Sequence, residues 1–286
     1  MSWLSTGRRM RAQVERGDTP GLPLVWRTFG GITALVVAAN VAGGIVVGLL
    51  LVALNSSATH HQRVVVALVG GIYGATAITF GAVMGFVLQG RTLRWLARGR
   101  RPTRDEARRA LRNQLDLAVI TGALWVLGAG VVSVLAAGLG AEGSEIVGLS
   151  GGLVLAGLTT AGVSYSIAAA VGRPVAALAL EVYPPTESMI FTLQARMLVS
   201  WLLATGIPLL GIVLILSSPP GRSHIIGAGL FAAVIAIVIG AAAASVLARS
   251  IGDPLRTLVT ALERVGRGDL TISVDVDDVG EIGMLQ

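Results

Sequence analysis

The chain has 286 residues, of which 53% are hydrophobic and only 13% charged, with a mean hydropathy of +0.77. A soluble domain carries about 25% charged residues, so this composition points to a membrane protein. Cysteine is absent, which excludes disulfide and thiol chemistry, and all 22 basic residues are arginine, giving a net charge of +6. A segment of 27 residues with Arg8, Arg9, Arg11, Arg16 and Arg27 comes first. It places Trp3, Leu4, Met10 and Val14 among its arginines, a pattern that fits an amphipathic interfacial helix or a disordered tail.

Six apolar runs follow, at about 28–54, 64–88, 115–139, 146–170, 197–216 and 225–247. Each reaches the roughly 20 residues that cross a hydrocarbon core. The connections NSSATHHQR, AEGSE and SSPPGRSH are short, so the runs pair as three hairpins. The predicted fold is an all-α membrane protein with a transmembrane domain over 28–248. Twenty of the 22 arginines fall in the two terminal segments and in loops 89–114 and 171–196; only Arg63 and Arg222 lie in the short connections. That bias predicts cytoplasmic termini in a plasma-membrane protein. It also assigns the basic charge to topology and lipid headgroups rather than to nucleic acid. The spacing of Arg91, Arg94, Arg98, Arg101, Arg108 and Arg112 predicts that the second span continues as a basic helix, interrupted near Pro102.

The joints between hairpins are similar. QGRTLRWLARGRRPT (89–103) aligns without gaps on VGRPVAALALEVYPP (171–185), and GRPVAAL (172–178) on GDPLRTL (252–258). The reading is three copies of a hairpin followed by a helix that leaves the membrane. Glycines recur four apart in GIVVG (44–48), GGIYG (70–74), GAVMG (81–85) and GLSGG (148–152), which predicts close helix packing within the bundle. Asn40, mid-span, calls for an interhelical hydrogen bond. No span carries an ionisable residue near its centre, which argues against an ion-coupled transporter and leaves a carrier of neutral or lipidic molecules open. One candidate ligand set stands at each hairpin tip: His60 and His61, Glu142 and Glu145, and His224. Imidazole and carboxylate together suit Zn²⁺; solvated loop residues are the simpler alternative.

After the last run, Ile251, Leu255, Leu258, Leu262 and Val265 are spaced 4, 3, 4, 3, as in a two-heptad coiled-coil seam. Gly266 and Gly268 end that helix. Leu270, Ile272, Val274 and Val276 alternate with polar residues, and Glu281 opens a second helix. Pro254, lacking an N–H, suits the start of the bundle helix or a kink at the membrane exit.

Pro254–Leu255, Gly268–Asp269–Leu270 and Glu281–Ile282–Gly283 resemble the signature of a HAMP domain, here over 251–286. The resemblance implies a parallel four-helix bundle shared by two chains, hence a homodimer, in which Pro254, Leu255, Leu258, Leu262, Val265, Asp269 and Glu281 couple the membrane to an output. Only one turn of the second helix precedes Gln286, so the HAMP element (249–286) is expected to be incomplete. Six spans with small outer loops and then HAMP resemble the membrane-anchored class III adenylate cyclases of mycobacteria and related actinobacteria. That resemblance implies conversion of ATP to cyclic AMP and pyrophosphate by a further domain holding two Mg²⁺ or Mn²⁺ ions; no catalytic residue or cofactor site falls in this chain. A six-span histidine-kinase sensor, or a transporter or lipid-handling protein with a HAMP-like tail, are the alternative readings.

Overall fold

The computed structural model describes residues 22–54, 59–92, 94–98, 100–182, 197–199, 201–216 and 222–267. The N-terminal segment up to residue 21, most of the 171–196 loop and the expected extended stretch, turn and second helix of HAMP, with Asp269 and Glu281, lie outside them. The described residues are helical: α1 Leu22–Leu54, α2 His60–Thr92, α3 Arg94–Ala97, α4 Arg104–Gly138, α5 Gly143–Val182, α6 Ile207–Leu216 and α7 Arg222–Gly266. Among the described residues, five stretches are long and apolar enough to cross a membrane: Gly30–Leu49, His60–Arg91, Arg104–Gly138, Gly143–Arg173 and Met197–Leu214. The expected sixth run survives as the shorter apolar stretch Gly229–Ala242 of α7.

Local chemistry sets the helix ends. Thr59 and Gln62 form a reciprocal cap at the start of α2: the Gln62 N–H donates to Thr59 Oγ1 at 3.3 Å and the Thr59 N–H to Gln62 Oε1 at 2.9 Å. Thr103 and Glu106 do the same for α4, with bonds of 3.4 and 2.9 Å. At the other end of α4 the chain turns through Gly140, whose φ of +79° only glycine adopts cheaply. The Ala141 N–H reaches back to Ala136 O and the Gly140 N–H to Ala137 O, which satisfies carbonyls the helix leaves open. Four residues therefore suffice to return the chain, and α4 and α5 form the most extensive helix pair. Gln62 Nε2 then donates to Leu139 O at 3.0 Å, fixing α2 to the end of α4.

Ahead of α6 the helix widens. Residues Leu202–Gly206 make one π turn, and the Ile207 N–H donates to Leu202 O, five residues back. Pro208 explains it: proline has no N–H to offer Ala204 O, and its ring would strike that carbonyl in a regular helix.

The basic 89–114 segment differs from expectation. The chain stops being helical after Ala97, in line with the interruption near Pro102, but Arg104, Arg108 and Arg112 belong to α4 and run straight into the third span. The capping box at Thr103 starts a new helix there, so the arginines do not prolong α2 as one helix.

Below this end of the bundle lies a compact layer. Trp95 and Leu96 of α3 are fully buried, against Ile32 of α1, Leu117 of α4 and Val171, Val175 and Leu178 of α5. Ala107 and Leu111 of α4 meet Ala179 and Leu180 of α5 beside it. Leu96 and Leu178, equivalent in the aligned joints, thus share one core. α5 and α7 continue through their joints as helix, whereas the first joint leaves helix after Ala97 and regains it only at Arg104.

Candidate functional site

Two features carry functional content: a half-open cavity between the helices, and the helix that leaves the bundle.

The cavity has a volume of about 690 Å³ and lies between α1, α2 and α4, closed at one end by the start of α5. Its walls are aliphatic side chains and glycines. Gly44 and Gly48 of α1 and Gly70, Gly71 and Gly74 of α2 all line it, and a Cβ added at any of them meets nothing within 4 Å. This corrects the packing expected from the four-residue glycine spacing. Gly81 and Gly85 do face α4, with Leu124 and Leu117 at 3.3 Å from an added Cβ; in the fourth motif Gly152 meets nothing, and it is its neighbour Gly151 that faces Leu214 at 3.3 Å. Gly44, Gly48, Gly70 and Gly74 instead leave room. The glycines that let helices touch are elsewhere. A Cβ at Gly157 would lie 2.5 Å from Trp125 Cβ, one at Gly128 would lie 2.7 Å from the Tyr73 ring, and one at Gly43 would lie 2.6 Å from Thr160 Cγ2.

Polar groups in the cavity are few and placed. Trp125 Nε1 donates to Asn40 Oδ1 at 2.9 Å, and Asn40 Nδ2 donates to Val36 O at 2.9 Å. The Tyr73 hydroxyl donates to Leu124 O of α4. At the arginine-rich end, Gln89 is 3% exposed; its Nε2 and the Thr33 hydroxyl are buried without a hydrogen-bond partner. At the short-loop end stand Gln62, Arg63 and Glu145. Trp125, Tyr73, Gln89 and Thr33 were not singled out by the sequence, where each reads as an ordinary residue of an apolar run.

The described metal candidates form no cluster. His60 and His61 begin α2 and are exposed, Glu142 is exposed ahead of α5, and Glu145 sits in its first turn. Among the described residues no three His, Cys, Asp or Glu form a metal-holding group. The His224 side chain is outside the described set.

At the arginine-rich start of α4, ahead of the apolar run that begins near residue 115, Arg100 and Glu106 form a bidentate ion pair, Nη1–Oε2 at 2.8 Å and Nη2–Oε1 at 2.6 Å. The Arg100 guanidinium, with the Thr103 cap, holds the Glu106 carboxyl down at about 2. Four arginines share this first part of α4, which keeps it out of hydrocarbon.

The exit helix is α7. It runs unbroken from Arg222 through the apolar Gly229–Ala242 stretch to Gly266, where the Arg267 N–H closes on Arg264 O at 3.0 Å. Gly266 therefore ends the helix as the sequence predicts. Pro254 neither starts nor stops it: α7 passes through this position, and its start lies 32 residues earlier. Leu262 is 69% exposed and Val265 43%, so these two seam residues are left uncovered by the described residues. The side chains of Ile251, Pro254, Leu255 and Leu258 lie outside the described set.

Residues 246–286 match the HAMP domain family. The protein Rv1318c of Mycobacterium tuberculosis (strain ATCC 25618 / H37Rv), itself described as uncharacterized, is 30% identical over 227 residues, 73% of this chain and 42% of its own length. Rv1319c of the same strain is 26% identical over 266 residues, 89% of this chain and 49% of its own. Mb1354c of Mycobacterium bovis (strain ATCC BAA-935 / AF2122/97) is 28% identical over 210 residues, 68% and 35%. Both of these are likewise described as uncharacterized. The chain spans less than half the length of these relatives. No solved structure matches it. A HAMP segment in a chain with several membrane-length apolar helices is the arrangement of a membrane sensor or transducer.

Proposed function

We propose that this chain is the membrane sensing and relay region of a longer homodimeric signalling protein, with the arginine-rich end and both termini in the cytoplasm. The observation that carries it is the continuity of α7, which joins the bundle to the first HAMP helix with no flexible linker. A helix transmits rotation or tilt along its axis, and a packed two-chain seam has discrete arrangements that a small shift can exchange. The exposed Leu262 and Val265 supply part of such a seam. Arginine bias supports the orientation.

The output we propose is a class III adenylate cyclase, which makes cyclic AMP from ATP with Mg²⁺ or Mn²⁺ in a domain after HAMP. Support is by resemblance: small-looped apolar hairpins leading into HAMP, in a chain related to longer mycobacterial proteins. Membranes containing the full-length protein are incubated with MgATP, and cyclic AMP is measured. Cyclic AMP formation supports the reading; phosphohistidine formation without it assigns a kinase instead. Inserting one to four residues after Arg249 then tests the relay. Activity that varies with insertion length, with a period near one helical turn, is expected; indifference to insertion reduces the membrane region to an anchor.

A further inference from the structure

The fifth span is pinned to α5 on both sides of its π turn. Leu203, in the turn, is buried against Gly162, where an added Cβ would stand 2.5 Å from Leu203 Cδ2. Leu214 of α6 lies against Gly151, where the corresponding distance is 3.3 Å. Gly151 and Gly162 stand 11 residues apart, and so do Leu203 and Leu214. That is about three helical turns on each side, so two leucines seated on two glycines fix the register of an antiparallel pair.

Between these anchors the backbone is not a regular helix. The Ile207 N–H goes to Leu202 O instead of Leu203 O. Pro208 has no N–H for Ala204 O, so the wide turn is held at this point of the span. A π turn accommodates one residue more than an α turn, and closing it would rotate the flanking segments by about 100° and shift them by ~1.5 Å.

The same turn touches the exit helix. A Cβ added at Gly240 of α7 would stand 3.2 Å from Ala204 O and 3.4 Å from Ala204 Cα. Backbone meets backbone there, with no flexible side chain between to absorb a displacement. Gly227 and Gly229, earlier in α7, meet nothing within 4 Å. Among the described residues, α7 packs on the π turn and on α6 more than on any other element.

We infer that the π turn is the joint through which the bundle sets the rotational position of α7. Leu203 is held by α5, and the next residue, Ala204, bears on Gly240. Contacts one residue apart cannot move independently, so a shift of Leu203 on Gly162 displaces the Ala204 carbonyl against α7. Packed contacts of this kind exchange between discrete arrangements and do not deform smoothly. The inference rests on the reading of α7 as a relay, and the experiment separates the two.

Nitroxide labels are placed on cysteines at Arg112 of α4 and Arg256 of α7, both exposed, in the full-length protein. Labelled chains are diluted with unlabelled ones, so that pulsed electron resonance reads the distance within one chain. The mean distance should move by about 1.5 Å or more in Gly240→Leu, which forces α7 off Ala204, and in Pro208→Ala, which returns an N–H and lets the turn close. Gly229→Leu, facing open space on the same helix, should leave it unchanged. The two variants act on opposite sides of the contact, so one that fails to fold leaves the other. An unchanged distance in the folded variants, or an equal shift in Gly229→Leu, would overturn the joint. Intersubunit disulfide yields at Leu258, Leu262 and Val265 are then compared in the same variants. A moved distance with redistributed yields supports joint and relay together; a moved distance with the parent's yields keeps the joint and removes the relay.

Discussion

The indole N–H of Trp125 on α4 reaches Oδ1 of Asn40 on α1 across 2.9 Å, joining two helices that are 85 residues apart in sequence. Asn40 also donates back to Val36 O, so both ends of its amide are engaged. In a hydrocarbon setting, where water cannot substitute, this is how a lone asparagine is accommodated.

Removing either partner leaves the other unpaired. Asn40→Leu and Trp125→Phe should each destabilise the bundle by about 1 kcal/mol, near the ~0.6 kcal/mol average and below the ~1.7 kcal/mol maximum plus repacking. A double-mutant cycle by reversible unfolding in detergent should return a coupling energy of about 0.5–1 kcal/mol. Strict additivity would mean the bond contributes nothing.

Glycines divide into two sets that the same motif cannot separate. Gly157→Leu and Gly128→Leu should collapse expression or lower the melting temperature by well over 10 °C, since Trp125 and Tyr73 stand where the new side chain must go. Gly74→Leu should unfold close to the parent temperature. Equal damage at all three positions would contradict the cavity.

Trp95 is fully buried with its Nε1 unpaired. Trp95→Ala should cost about 3–5 kcal/mol through the void it leaves in the layer with Leu96 and Leu178. Trp95→Phe removes the unsatisfied donor and should cost distinctly less; thermal unfolding distinguishes the two.

The Glu106 carboxyl titrates near 2 in the folded chain, below the ordinary value of about 4.5. A depressed carboxylate adds stability that is fully present above the unfolded value and is lost as pH falls through the folded one. The melting temperature should therefore drop as pH is lowered from about 5 towards 2, and Glu106→Gln should flatten part of that slope. Arg100 is half-exposed, so the effect is modest at moderate salt.

Much of this architecture is legible in hydropathy alone. Run length gives the spans, because the bilayer fixes how many apolar residues a helix needs. Asn40 announces its own hydrogen bond, and the 4, 3, 4, 3 spacing gives the helix that ends at Gly266. The cavity is not legible. Glycines four apart say that a neighbour could approach, and only the packing says whether one does: at Gly157 it does, at Gly74 it does not. Gln89 looks like the polar edge of a span until its burial is known. Loop 89–114 misleads because arginine periodicity persists across a helix break that the Thr103–Glu106 cap determines. The π turn at Leu202–Gly206 follows from Pro208, yet widening and kinking answer a proline equally well from sequence.

The account rests on α7 acting as one rod that pairs with its counterpart in a second chain. The sequence has no cysteine, so single cysteines introduced one at a time from residue 255 to 266 of the full-length protein report pairing cleanly. Oxidation in native membranes should link subunits strongly at Leu255, Leu258, Leu262 and Val265 and weakly at Arg256 and Glu263, repeating every three to four residues. Absence of intersubunit disulfides throughout, or equal yield at Leu262 and Glu263, would contradict it.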